Sequence, residues 1–235
     1  MPSRFLTKSS KVMHTAWVTR SDSPNRLERR KQRTRSALVK AAQRLIAEGK
    51  TNVPVLEITQ AADVGMGSFY NHFDSKEQLF EAAVADVLDA HGALLDALTA
   101  AIEDPAETFA TSFRLTGRLL RERPQESDIL LANTATLLSS DRGLAPRALR
   151  DIKAAAVAGR FRIDDPDLAL ATAGGALLGL GVLLRQNPDR DGATAADAMT
   201  ENVLRLFGLS ADEAHAVCQC PLPDLNAWRQ PDSAA

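Results

Sequence analysis

Between Asp63 and Phe80 the chain reads DVGMGSFYNHFDSKEQLF. A Gly-x-Gly followed by aromatics has two physical readings: a loop that cradles phosphate, or a joint between two short helices. A dinucleotide loop follows a β-strand and continues to a third glycine, and a nucleotide P-loop is followed by Lys-Ser/Thr. Here Tyr70 occupies the third position, no Lys-Ser/Thr follows, and the preceding VLEITQAA carries its apolar residues at helical spacing. The glycines therefore join helices. Ile58, Ala61 and Ala62 seat the first, Asp63 takes the left-handed turn that Asp and Asn tolerate, Val64 fills the angle, and Gly65 stands at the N-cap of the second. Gly67, without a side chain, is expected to let two helices approach closely. Phe69 and Phe73, four residues apart, turn inward. Met66, Ser68, Asn71 and His72 then face outward, where a recognition helix meets base edges.

Helical spacing extends to both sides of this joint. Leu38, Ala41, Ala42, Leu45 and Ile46 form one apolar stripe, ended by Gly49 in a C-cap position. Pro54 is expected as the first residue of the next helix, and the helix after the glycines should run from Met66 to about Phe73. Ser75, with Gln78 three residues on, opens a long fourth helix, with a kink expected near Gly92. Asp104-Pro105, Pro124, Asp165-Pro166, Gly192 and the Ser210/Glu213 pair mark later starts. Ala and Leu dominate a 45% hydrophobic content to which aromatics contribute only 5%, a balance that suits packed helices better than sheets. The expected class is all-α: a helix-turn-helix DNA-binding domain over 26–74, between a flexible basic arm (1–25) and a larger helical bundle (75–220). A C-terminal tail (221–235) follows, with Trp228 a candidate anchor.

The net charge of −2 hides a division. Residues 1–50 carry 13 Lys and Arg against 3 Asp and Glu, and the remainder carries 15 against 27. A basic leader on an acidic body points to a polyanionic partner met at that end; the alternative is a merely solvated leader. Two cysteines, Cys218 and Cys220, exclude a disulfide framework and fit a reducing compartment. Beside His215 they lack the second pair that a tetrahedral metal site needs, so unreactive thiols are expected, with no metal and no cofactor. Residues 1–25 lack the continuous apolar run of a secretory signal. The uncharged stretch from Leu168 to Leu184 falls short of the ~20 residues that span a bilayer. Although its Gly175-x-x-x-Gly179 is a membrane-pairing spacing, burial against the bundle core and a partner subunit explains it better, and no membrane partner is expected.

ITQAADVGMGSFYNHFDSKEQLF, with the preceding ALVKAAQRLIAEG, resembles the DNA-binding signature of the TetR family of transcriptional regulators over roughly Arg33 to Ala83. The order aromatic-Tyr-x-His-Phe-x-Ser-Lys-Glu after a glycine carries the likeness. It implies a homodimeric, cytoplasmic repressor, released from a palindromic double-stranded operator by a small-molecule effector. Three features depart from the pattern. Asp63 replaces the usual turn glycine and Gly65 the usual serine; Pro54 stands where a threonine often contacts phosphate; Thr59 replaces a small alanine.

By the same resemblance Tyr70 and Lys76 contact phosphate, while Ser68, Asn71 and His72, with Met66, face the bases. Tyr70 as a core residue and His72 as a packing residue at the helix end remain open alternatives. Residues 51–100 contain one basic residue, Lys76, against eight acids, so Arg33 and Arg35, with Arg29, Arg30, Lys31 and the arm, must supply the charge that holds the duplex. In the body, Phe109, Phe113, Arg114, Arg118 and Phe161 are the effector-pocket candidates. The helices Leu168–Gln186 and Thr194–Leu206 are the dimer candidates, through Gly174, Gly175, Leu178, Gly179, Val182 and Val203, pairing into a four-helix bundle. The competing readings are a helical protein–protein adaptor and a small helical enzyme. Four histidines without metal-ligand spacing and no nucleophile motif speak against the enzyme.

Overall fold

A computed structural model of the chain describes residues 26–132 and 143–223, which form ten helices and no strand. The arm and Trp228 lie outside the described residues.

The first three helices make the small N-terminal unit. α1 (Arg26–Ala47) buries Leu38, Val39, Ala41, Ala42, Leu45 and Ile46 along one stripe. It closes at Gly49, whose φ of +73° lets its N–H donate to Ile46 O while Lys50 N–H donates to Leu45 O, the paired bonds of a left-handed C-cap. α2 (Val55–Ala61) starts one residue later than expected, with Pro54 as an extended N-cap (φ −66°, ψ 150°) rather than as the first helical residue. Thr59 is buried against the interhelix contact, its hydroxyl bonded back to Leu56 O at 2.9 Å. Asp63 turns the chain at φ +53°, and Gly65 leads into α3 (Met66–Tyr70).

Two expectations fail here for physical reasons. α3 does not reach Phe73, because the cap of the next helix takes over the chain: Gln78 Oε1 accepts Asp74 N–H at 2.7 Å and Ser75 Oγ accepts Gln78 N–H at 3.2 Å. Gly67 is not a close helix contact either, since a Cβ placed on it would meet no atom within 4 Å.

α4 (Lys76–Thr99) runs through Gly92 without a break. The body continues with α5 (Pro105–Glu122), α6 (Pro124–Ala132), α7 (Leu144–Val157), α8 (Pro166–Gln186), α9 (Gly192–Leu206) and α10 (Ala211–Gln219). Asp104 and Asp165 cap α5 and α8 ahead of their first-turn prolines, and Ser210 with Glu213 forms a complete capping box on α10. α5 is the axis of the body and packs against α4 and α6 to α10.

Two main apolar clusters hold this arrangement. In one, Leu38, Ile58, Phe69 and Phe73 pack with Leu79, Ala83, Val84 and Leu88 of α4 and with Ile129 and Leu130 of α6. The N-terminal unit and the body therefore share a core across Asp74. The other centres on Phe109, Phe161 and Phe207, whose ring centroids lie 5.1–5.6 Å apart. Each such buried ring stabilises by about 1.5–3 kcal/mol.

Candidate nucleic-acid interface and effector cavity

α3 presents a narrow exposed face. Phe69 and Phe73 are buried, as their spacing predicts, and this leaves Met66, Gly67, Tyr70 and Asn71 exposed. Tyr70 is 59% exposed, with its ring set edge-on against Phe69, so the core alternative for it fails. Ser68 and His72 are half-buried. Together with Asn71 they line a groove whose other wall is the start of α1, including Arg30, Lys31 and Thr34. Partial burial, and then the nearby Lys31 and Arg35, hold the His72 imidazole below its ordinary pKa, which favours the neutral ring that both donates and accepts.

The basic side chains divide by role. Arg33 is exposed on α1. Arg35 lies over the Phe73 ring with its guanidinium carbon 5.2 Å from the centroid, a cation–π contact that fixes the charge beside α3. Lys76, at the first position of α4, donates from Nζ to Asn52 Oδ1 at 2.8 Å, so it reaches the loop between α1 and α2. That N-terminus favours anions as well, through its unpaired N–H groups.

A second concavity opens inside the body between α4, α5, α7 and α8, with a volume of about 80 Å³. Leu95, Phe109, Phe113, Leu144, Leu170 and Leu177 make its apolar walls, and Asp96, Ser112, Thr116, Arg147 and Asp151 bring polar atoms to it. Arg147 Nε donates to Asp96 Oδ2 at 2.7 Å, and Arg150 bridges Asp96 Oδ1 (2.9 Å) and Asp151 Oδ1 (2.8 Å). Burial raises the pKa of both carboxyls. At Asp96 the two guanidinium bonds outweigh burial and the net shift is downward, whereas at Asp151, only 7% exposed, burial prevails and the shift is upward.

Of the five pocket candidates, Phe109 and Phe113 line this cavity. Phe161 stands behind Phe109 in the aromatic core, 5.6 Å away and edge-on. Arg114 and Arg118 are consumed elsewhere. Both hold Asp197 of α9, Arg118 in a two-pronged bond of 2.7 and 2.8 Å and Arg114 through Nε at 2.8 Å, and Arg114 Nη1 donates to Cys220 O at 2.8 Å. Asp96, Arg147 and Asp151 were missed by the sequence reading because Arg147 and Asp151, four apart on α7, look like an ordinary solvated pair; an acid facing them from α4 appears only once the helices are packed.

The dimer candidates also divide. Gly175, Gly179 and Val182 lie on an exposed face of α8 with Leu168, which is 67% exposed, and a Cβ on either glycine would meet nothing within 4 Å. Leu178 is half-buried against the first core cluster. Gly174 instead faces the cavity, and Val203, 1% exposed, is core within the subunit; α9 turns it inward beside Leu204. Cys218 is buried, which pushes its thiol up to about 12 and leaves it inert as a nucleophile. His215 Nδ1 pairs with Glu201 at 2.9 Å.

Residues 38–83 match the family model described as bacterial regulatory proteins of the tetR family, and residues 104–220 match that of the tetracyclin repressor-like C-terminal domain. The chain is 32% identical to RolR in its crystal structure with the ligand resorcinol, an alignment covering 83% of this chain and 98% of that one at a TM-score of 0.67. RolR without ligand gives 34% identity over 80% and 98%, at 0.63. AibR in complex with isovaleryl coenzyme A and operator DNA, 20% identical over 74% and 98% at 0.51, shares the fold. The search of curated proteins gave no match.

Proposed function

Because the chain belongs to the TetR family of DNA-binding transcriptional regulators, we propose that it is a homodimeric repressor whose α3 reads a palindromic operator and whose body cavity takes a small dihydroxylated aromatic ring as effector. The observation that carries the reading is the exposed Met66-Gly67-Tyr70-Asn71 face of α3, set beside the basic start of α1 and joined through α4 to an apolar cavity with polar groups on its walls. Ser68, Asn71 and His72 serve base edges, with Met66 alongside; Tyr70, Lys76, Arg33 and Arg35 serve phosphates, which set register rather than sequence. The protein acts by binding rather than by catalysis, in the cytoplasm with its operator.

The effector reading draws on RolR, which binds resorcinol, and on the shape of the cavity. Phe109, Phe113 and Leu177 give the cavity the apolar walls that an aromatic ring needs, and two hydroxyls on that ring have the Asp96, Arg147 and Asp151 side chains to meet. A second subunit covers the apolar outer face of α8 around Gly175, Gly179 and Val182, pairing it with α9 in a four-helix contact. Two half-sites about 34–36 Å apart are then read by the two copies of α3. Selection of bound duplexes from a random pool tests the reader: a two-fold symmetric consensus is expected, and no enrichment would refute it. Titration calorimetry with resorcinol tests the cavity.

A further inference from the structure

We propose that Asp89 and Gly92 of α4, which lie outside the cavity lining, form with Arg147 the joint that transmits cavity occupancy to the DNA-reading end; for the identity of the ligand this rests on the effector reading above.

Arg147 is a cavity-lining side chain whose polar contacts reach two turns of α4. Its Nε donates to Asp96 at 2.7 Å, its Nη1 lies 3.6 Å from Asp89 Oδ1, and the same Nη1 donates to Gly143 O at 2.7 Å. Asp89 Oδ1 also accepts Gly143 N–H at 2.8 Å. One carboxylate of α4 thus holds both the N-terminus of α7 and the arginine of its first turn. Asp89, Gly92 and Asp96 follow one another at spacings of three and four, so they share one face of the helix.

Gly92 is what lets the guanidinium lie on that face. A Cβ there would stand 2.7 Å from Arg147 Nη1, 2.8 Å from Cδ and 2.9 Å from Cζ. Those atoms are the far end of a flexible side chain, so a methyl at 92 would move Arg147 without forcing the helices apart. At Gly143 a Cβ would meet Leu88 Cβ at 2.6 Å, where nothing can yield.

A hydroxyl placed against Asp96 and Arg147 competes for the bond that ties α7 to α4. The reading end of the lever is far away: Lys76 lies 20 residues before Asp96, about 30 Å along the helix, so a tilt of ~5° displaces it by ~2.5 Å. That exceeds the distance tolerance of a hydrogen bond to a base edge. Loosening the joint from outside the cavity therefore imitates the effector.

The test uses the full-length dimer, with Asp89→Asn and Gly92→Ala as separate variants. Operator affinity is measured by fluorescence anisotropy with and without saturating resorcinol, resorcinol affinity by calorimetry, and folding by thermal melting. Both variants are expected to melt near the parent temperature; Asp89→Asn should bind resorcinol within about fivefold of the parent, and Gly92→Ala, which displaces Arg147 from the cavity wall, more weakly but still to saturation. Without ligand both should bind operator about tenfold more weakly, and the further loss on adding resorcinol should shrink to below about threefold. Parent-like operator affinity in both folded variants, with release by resorcinol to the parent's extent, overturns the proposal. If the parent protein does not bind resorcinol, the effector reading alone fails, and the ligand-free operator affinities still decide whether the joint sets the reading geometry.

Discussion

Gly67→Ala separates stability from recognition, because the structure assigns the two opposite signs. Gly67 lies in helical conformation within α3, and a Cβ there touches nothing. In the free protein the substitution removes only the entropic cost of a helical glycine, so each subunit gains about 0.8–1.0 kcal/mol. For a chain of this size the melting temperature rises by roughly 2–4 °C. On DNA the sign reverses. Tyr70 and Asn71 are the neighbours of Gly67 at helical spacing on the same exposed face, so a methyl at 67 enters the space between the helix and the base edges. Displacing one base-edge contact costs about 1–3 kcal/mol in each half-site, and the two half-sites together lose roughly 30-fold or more in affinity. Melting followed by circular dichroism and anisotropy titration on a selected operator read the two effects independently. A lower melting temperature would mean that Gly67 is packed after all. A higher one with unchanged operator affinity would mean that this face of α3 does not approach DNA.

Other outcomes follow from particular contacts. Arg33→Gln should weaken binding to all duplexes alike and reduce the log–log salt slope by ~0.9 per half-site, while Arg35→Gln should also cost about 0.5–1 kcal/mol of stability from its contact with Phe73; urea denaturation distinguishes the two. Asp197→Ala strips the carboxylate from Arg114 and Arg118, and with Arg114 only 6% exposed on its side chain the loss should approach about 3 kcal/mol, read as a lower denaturation midpoint at unchanged slope. Val182→Glu places a charge on the exposed face of α8 and should shift the dimer toward monomer in sedimentation, with loss of operator binding. His91 is buried, bonded through Nε2 to Thr116 Oγ1 at 3.0 Å, and held down to about 4, chiefly by burial and then by Arg123. Since its folded pKa lies below the unfolded value, its stabilising effect is complete above about pH 6.5 and is lost as pH falls toward 4, up to about 3 kcal/mol. His91→Gln should flatten that part of the stability profile.

Most of the scaffold was legible because it is set locally. A capped start and a stripe of period 3.6 are properties of neighbouring residues, and they placed the starts of α1, α4, α5, α8 and α10 to within a residue or two, although α4 ends at Thr99, short of the following Asp104. Asp63 was readable for the same reason, since its left-handed φ belongs to the turn itself. What local pattern cannot show is which of two exposed-looking faces meets another helix. Arg114 and Arg118 looked like pocket residues until α9 brought Asp197 to them. Gly92 looked like a kink until α7 brought Arg147. Val203 looked like an interface residue because an apolar position on a helix carries no mark of whether its own subunit or a partner covers it.

Charge orients the encounter with DNA. The excess of 27 acidic over 15 basic residues beyond residue 50 repels phosphate, so the body cannot serve as a nonspecific foothold. Thirteen of the 28 basic residues lie in the first 50 positions, and the groove formed by Ser68, Asn71 and His72 opens directly against the basic start of α1. Long-range steering and short-range reading therefore act on one face of the molecule. Because screening at ~0.15 M salt limits such steering to about 8 Å, it orients the protein only when α3 is already close to the groove it must enter. A regulator built in this way spends little time bound by its body to the wrong place. Its affinity is correspondingly exposed to any tilt of α4, since Lys76 and the helix N-terminus that carries it move with α3.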